Sequence, residues 1–423
     1  MIEILNKIFF RSNNFKNINI KFNNLKNKTS IEQIFKAIES YSDKSEIMYV
    51  GGCVRKILNN EKVDDIDLAT NLSPKEVIEV LKKNNIKFFE TGIKHGTITA
   101  IIDEYKFEIT SLRKDIKTDG RHADVIFTND WKLDASRRDF TINSIYSDIQ
   151  GNLFDPNDGK RDLEEGKIIF IGDPEKRVKE DYLRILRYIR FFLNYSKKNH
   201  NKDYIRVIKK NLDGISKISS ERLLDEFKKL TQSNGILNLA KDQLSIEIIT
   251  LIFPQFKNLS VLKSLNSYAK ENIKNLDFVF LILLLIVDGS DNVDYFIYKF
   301  NISKKAQKRI LFINDFIKNK KNKSINTKYL WKVFYFHGKE SLFDLINYKI
   351  FLSKKADKKL LSFINFFKDK NPPLLPLRAI TLMTKYNIPE GKDLGIKLKQ
   401  IEDRWVDNDF KISEKEVQKL INS

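Results

Sequence analysis

The sequence predicts an α+β protein in which sheet-forming segments come first and helices fill the remainder. Three observations carry this. A short apolar strand around Tyr49 runs into Gly51-Gly52 and a helix opened by Arg55, and an extended segment from Val63 to Thr70 holds Asp65-Ile-Asp67. The stretches from Gly96 and from Lys106 alternate in polarity around Asp103-Glu104-Tyr105, as a β-hairpin does. From about residue 215 the chain reads as successive amphipathic helices.

Taken in order, the first 28 residues are rich in Asn and Lys with little periodicity and read as a loose extension. Ile31, Ile34, Phe35 and Ile38 then recur at helical spacing behind a Thr29/Ser30 cap. The Gly51-Gly52 turn lacks side chains, so its backbone can come close to a bulky anion, and the following helix aims free N–H groups the same way. Asp65 and Asp67 stand two apart on an extended segment, so their carboxylates share one face. Mg²⁺ typically takes one or two carboxylates together with substrate phosphates. The two halves fit a metal-bound triphosphate.

Ser73-Pro74 opens the next helix as a cap followed by proline. On the second hairpin strand Phe107 and Ile109 share a face and Glu108 and Thr110 the other. Glu108 is either a third carboxylate or a solvent-facing side chain. Residues 113–135 show no clear period and read as a long mobile loop, a feature usually tied to function. Arg137-Arg138-Asp139 follows, ahead of Phe140 to Asn143. Adjacent arginines clamp phosphates through bidentate forks, or they form an ordinary surface ion-pair cluster.

A long helix is expected from Lys179 to Leu193, with Ile185, Leu186, Ile189, Phe192 and Leu193 on its core face. Asp181, Arg184, Arg187 and Tyr188 share a polar stripe, with Arg190 off it. Asp181 and Arg184 are either an i,i+3 ion pair or a device for choosing a base. A fixed carboxylate beside a fixed guanidinium matches the amino and ring-nitrogen edge of cytosine or adenine. Guanine and uracil present the reverse edge, and unpaired buried polar groups penalise them. Ser219 caps a helix with Leu223, Phe227 and Leu230 on its apolar face.

The 423 residues exceed one ordinary core, so about two to four domains are expected. A formal charge of +20 favours a polyanionic partner, although Lys and Asn crowd the whole chain. The single cysteine, Cys53, excludes a disulfide scaffold and a cysteine zinc site. Four scattered histidines form no metal pattern. The opening residues lack a secretory-type apolar segment. The longest apolar run, Phe278 to Val287, falls well short of the roughly 20 residues a membrane span needs. A cytoplasmic protein with no membrane partner is expected.

Together, Gly51-Gly52-Cys-Val-Arg55, Asp65-Ile-Asp67, Arg137-Arg138-Asp139-Phe-Thr-Ile-Asn143, Asp162-Leu with Ile171-Gly-Asp173, Glu180-Asp181-x-x-Arg184 and Ser219 to Arg222 resemble, in order, the motifs of class II tRNA nucleotidyltransferases, the CCA-adding enzymes. The resemblance spans about residues 30–230, and the block from Arg378 to Phe410 looks like bacterial members. It implies a nucleotidyltransferase head (29–145) with a small mixed sheet, a neck (146–215), a helical body (216–300) and a helical tRNA-binding tail (301–423). It further implies Asp65 and Asp67 as Mg²⁺ ligands and catalytic residues, beside which the hairpin reading sets Glu108 as the candidate third carboxylate and helper, and nucleotide contacts are expected from Gly51, Gly52, Arg55, Asp139 and Asn143. Arg138 would join the ribose and triphosphate clamp, Asp181 and Arg184 would form the protein template, and Arg187 and Arg190 would meet the triphosphate. The substrates would be CTP, ATP and a tRNA lacking all or part of its 3′ CCA, with no DNA partner. Lys56 stands where the family commonly has Asp, and Asp158-Gly159 where Gly-Gly is usual. Bacterial poly(A) polymerases share these motifs and are the alternative, ahead of a non-catalytic RNA-binding protein. Thr91 to Thr97 looks like the CCA-adding type, and the full-length loop around Asp119-Gly120-Arg121-His122 argues against the CC-only subtype.

Overall fold

The computed structural model describes residues 18–118, 123–319 and 325–422. Residues 18–29 form a helix, α1, rather than a loose extension. Ile18, Phe22, Leu25 and Thr29 recur at helical spacing, and Phe22 is buried with its ring 5.2 Å from that of Tyr49. The expected 119–122 loop and residues 1–17 lie outside the described residues. Helix α2 (Glu32–Glu39) starts without a side-chain cap. Instead the Thr29 hydroxyl donates back to the Leu25 carbonyl at 2.7 Å, inside α1.

Next come β1 (Ile47–Val50), α3 (Gly52–Leu58), β2 (Ile66–Thr70) and α4 (Pro74–Lys83), the last with a full Ser73/Glu76 capping box. The strands β3 (Lys87–Gly92), β4 (Thr97–Ile102) and β5 (Tyr105–Ser111) follow. With β8 (Tyr146–Ser147) and β9 (Leu153–Phe154) they complete a seven-stranded sheet of order β3-β4-β5-β2-β1-β8-β9. Among the described residues only β2 and β5 pair in parallel, so the sheet is mixed. Residues 113–135, expected as an irregular loop, instead hold the two-stranded ribbon of β6 (Arg113–Thr118) and β7 (Ala123–Phe127), then helix α5 (Trp131–Ser136).

Alternation along the strands separates two apolar clusters. Tyr49, Leu68, Phe107 and Ile109 join Phe35, Val77 and Leu81 in the large one. Val50, Ala69 and Tyr146 join Ala135 of α5 in a small one. Asp67 alternates with the buried Ile66 and Leu68 and therefore shares the face of Ala69 and α5.

Past the sheet run α6 (Gly159–Glu165), α7 (Pro174–Glu180), α8 (Leu183–Tyr195), α9 (Lys202–Lys210) and α10 (Ser220–Thr231). The Asp158-Gly159 departure falls in a fixed turn. Asp158 adopts φ 56°, and both Asp155 carboxylate oxygens accept from the N–H groups of Gly159 and Lys160 at 2.8 Å. A Cβ on Gly159 would sit 2.1 Å from the Thr141 carbonyl oxygen. Gly159→Ala is therefore expected to cost about 3 kcal/mol, read as a lowered melting temperature.

The chain divides into two compact units, residues 1–238 and 239–423. The second is helical. Its apolar run is the buried helix Phe278–Ile286, capped by Asp277, whose other carboxylate oxygen pairs with Arg309 at 2.5 Å. Arg309 also forks onto buried Asp344 at 2.7 and 2.8 Å. No helix among the described residues is long and apolar enough to cross a membrane.

Candidate active site

The site is built from the turn after β1. Gly51 takes φ 66°, a left-handed conformation that glycine reaches without penalty. A Cβ there would meet Arg138 Nη1 at 3.4 Å and the Asn143 carbonyl oxygen at 3.5 Å, while one on Gly52 would meet Asp67 Oδ2 at 3.6 Å. The bare backbone of the two glycines thus lies against Asp67, Arg138 and Asn143.

Asp67 stands on β2 in parallel register with Glu108 on β5. The structure thereby brings Glu108 beside it. Burial, then the Glu108 and Asp65 charges, outweigh Arg138 and Arg55 and push the Asp67 carboxyl up to about 6. Asp65 lies one residue before the strand and is exposed, so it belongs to the approach to β2 rather than to the strand itself. These are hard oxygen donors of the kind divalent cations take. Among the described residues no group of three or more His, Cys, Asp or Glu side chains is arranged to hold a metal ion by itself. Lys56 pairs with Asp64 at 3.7 Å, an exposed contact of small energetic weight.

A second group adjoins the first. Arg55 Nη1 donates to Asn143 Oδ1, and Asn143 Nδ2 donates to Asp139 Oδ1 at 2.8 Å. Arg187 forks onto Asp139 Oδ2 at 2.7 and 2.5 Å. Arg190 Nε donates to Glu226 Oε1, and Arg187 Nη1 lies 3.7 Å from Glu226 Oε2. The three guanidiniums surround one ring, that of Phe191, at 4.8, 5.4 and 4.1 Å for Arg55, Arg187 and Arg190. Burial alone would raise the Asp139 carboxyl, but Arg187 and the Asn143 amide hold it well below the usual carboxylate range. Arg190, placed off the polar stripe by helical spacing, joins this group. Tyr188, placed on the stripe, is buried among the Phe140 and Phe170 rings.

Arg137 and Arg138 share a buried acceptor. Asp134 takes Arg137 at 2.9 and 2.7 Å, Arg138 at 3.3 and 3.1 Å, and the Tyr146 hydroxyl at 2.7 Å. Burial opposes its charge, yet Arg138 and Arg137 outweigh it and hold the carboxyl well below its usual range.

The expected continuous helix from Lys179 is broken at Asp181. This residue is extended (φ −151°, ψ 104°) between α7 and α8 because its Oδ1 accepts the Leu183 N–H at 3.1 Å and its Oδ2 accepts Arg222 Nη2 at 2.8 Å. Asp181 and Arg184 are therefore not an i,i+3 pair within one helix. Arg184 Nη1 donates to Glu180 at 2.7 Å and to the Arg177 carbonyl at 2.6 Å. Each is held by a different partner.

Sequence reasoning did not single out Asp134, Tyr146, Arg177 or Glu226 for the site, and Glu180 entered it as part of the Glu180-Asp181-x-x-Arg184 motif, with no role of its own. Only Glu226 carried a signal: it lies between Leu223 and Leu230 on the apolar face of α10, beside Phe227, and is 2 % exposed.

Residues 47–169 match the poly A polymerase head domain family. The human CCA tRNA nucleotidyltransferase 1, mitochondrial, is 38% identical over 284 residues, 66% of this chain and 63% of that protein. Over the matched stretches the chain is similar to the poly A polymerase head domain and to a CCA tRNA nucleotidyltransferase. The CCA-adding enzyme from Lactobacillus johnsonii is 39% identical over 194 residues, 45% of this chain and 47% of that one. The chain thus matches less than two thirds of the length of these curated relatives. The Bacillus stearothermophilus CCA-adding enzyme in complex with CTP shares the fold, with a TM-score of 0.68 over 92% of this chain and 95% of that one at 23% identity.

Proposed function

We propose that the chain adds CCA to the 3′ end of tRNA without a nucleic-acid template, using CTP and ATP and releasing pyrophosphate. The observation that carries this reading is the convergence on one turn of a carboxylate face, Asp67 beside Glu108, and an arginine network reaching Asp181 and Arg184. In this reading Asp65 and Asp67 would hold Mg²⁺, with Glu108 as helper. When bound, such ions stabilise the attacking and leaving oxygens as a 3′ hydroxyl displaces pyrophosphate at the α-phosphate.

The chain's own residues do the rest. Arg138, fixed by Asp134 and Tyr146, joins Arg55, Arg187 and Arg190 in receiving the triphosphate as charge-assisted donors. Gly51, Gly52, Asp139 and Asn143 shape and orient that surface. Asp181 and Arg184 read the base: each carboxylate oxygen keeps a second lone pair, and the guanidinium has more donors than its two partners use. The division into head (29–145), neck (146–215), body (216–300) and tail (301–423) belongs to the same proposal, with the basic helical part gripping tRNA by shape and phosphate contacts. So does a cytoplasmic location; the human relative is named as mitochondrial.

The test supplies a tRNA transcript lacking its last three nucleotides with one labelled nucleotide at a time. The expected result is two additions from CTP, then one from ATP, with UTP and GTP refused. Long adenylate tails on unstructured RNA would replace this reading with a poly(A) polymerase.

A further inference from the structure

We infer that Arg177 is a positioning residue whose single guanidinium ties the base-reading pair to the phosphate-facing turn, so that base choice depends on it although it touches no nucleotide. The inference rests on the function proposed above and adds to it the residue that sets selectivity from behind.

Arg177 sits in the last turn of α7, which starts firmly at the Asp173 cap with Pro174 at its first position. Its side chain is 11% exposed. In one direction Nη1 donates to Glu180 Oε2 at 2.5 Å, and the same carboxylate oxygen accepts Arg184 Nη1 at 2.7 Å. The Arg177 carbonyl also accepts Arg184 Nη1, at 2.6 Å, and the Asp181 N–H, at 3.4 Å. Both proposed base readers therefore hang on this residue, one through side chain and backbone, the other through backbone. In the opposite direction Nη2 donates to the carbonyls of Arg137 and Arg138. Those are the two residues whose side chains fork onto Asp134.

The planar fork of a guanidinium serves acceptors on two sides at once, whereas a lysine ammonium at the end of a flexible stem is a point charge. Asp181 lies outside any helix; one backbone hydrogen bond, from the Arg184 N–H to the Asp181 carbonyl at 3.0 Å, ties the two backbones, while the two side chains are set by their other partners. With the Arg177 side chain removed, Glu180 keeps Arg184 but loses the second guanidinium that fixes its carboxylate, so the Glu180–Arg184 pair is free to swing about the backbone contact that remains. A base reader that swings accepts a donor or an acceptor alike, and the penalty against the wrong edge is lost.

A plain staple between α7 and the Arg137–Arg138 turn makes a different prediction: lower stability and a uniform loss of activity for all nucleotides. The experiment compares full-length wild type, Arg177→Met, Arg177→Lys and Glu180→Gln, measuring kcat and KM for CTP and for UTP on tRNA lacking its last three nucleotides, with melting temperatures alongside. The CTP:UTP ratio of kcat/KM is expected to fall on the order of 10- to 100-fold in Arg177→Met, the scale of one charged hydrogen-bond set. Arg177→Lys and Glu180→Gln should lie between it and wild type. An unchanged ratio in the variants that fold, whatever their melting temperatures, overturns the inference; if Arg177→Met does not fold, the other two decide. A wild-type chain that adds no CTP at all overturns the functional reading itself, and this inference with it.

Discussion

Asp67→Ala is expected to lower nucleotidyl transfer on the order of 10³-fold while tRNA binding stays largely intact. Asp67 is the half-buried carboxylate placed against the glycine turn, and its neighbours Asp65 and Glu108 are exposed, where water competes for any cation they hold. Rate measurements at saturating CTP together with a tRNA filter-binding titration check this; equal rates for variant and wild type would remove Asp67 from the chemistry. Asp67→Asn supplies the finer test. It keeps the shape but removes a charge set directly beside Glu108 in the parallel register, and like charges opposite one another destabilise a sheet. In the metal-free chain this variant should therefore melt slightly above wild type while remaining inactive, a trade of stability for function. Added Mg²⁺ should stabilise wild type and leave the variant unmoved.

The parts of this site that were legible in the sequence are those whose signal is local. Strand, glycine turn and helix follow one another within Ile47 to Leu58, and Asp67 between Ile66 and Leu68 states its own face by period two. The hairpin around Asp103 follows from its turn residues, and Asp103 does adopt φ 53°. Helix α1 was hidden because Asn, a weak helix former, dilutes the spacing of Ile18, Phe22 and Leu25. Its stability comes from tertiary burial against Tyr49 instead.

The break at Asp181 was illegible for a different reason. No Gly or Pro marks it, and the periodicity of residues 179–193 continues across it. The carboxylate itself captures the Leu183 N–H, and Arg222, far along the chain, holds the other oxygen. Asp134 and Arg177 look like surface charges in the sequence, since a charge becomes a buried partner only when the fold supplies its counterion.

Asp139 is the second place where a large effect is expected. It accepts the Arg187 fork, the Asn143 amide at 2.8 Å and the Phe140 N–H at 2.9 Å, and it is buried. Asp139→Ala strips all three donors of their acceptor and leaves the Arg187 charge with Glu226, at 3.7 Å, as its remaining ion-pair partner among the described residues. Breaking a buried pair from one side costs about 3 kcal/mol, seen as a lower melting temperature. Because Asn143 also holds Arg55, the same variant should raise the KM for CTP more than it lowers kcat. The pH dependence separates the charge from the shape. The carboxyl is held far below its unfolded value of about 3.9, so its stabilising contribution is fully present above roughly pH 4–5 and is lost as pH falls toward the depressed folded value. Asp139→Asn keeps the side chain's size and one acceptor but has no such titration. Its stability should lie below wild type at neutral pH, and the gap should narrow as the pH is lowered through 4 toward 2. A gap that stays constant over that acid range would mean that the Asp139 charge is not what holds Arg187.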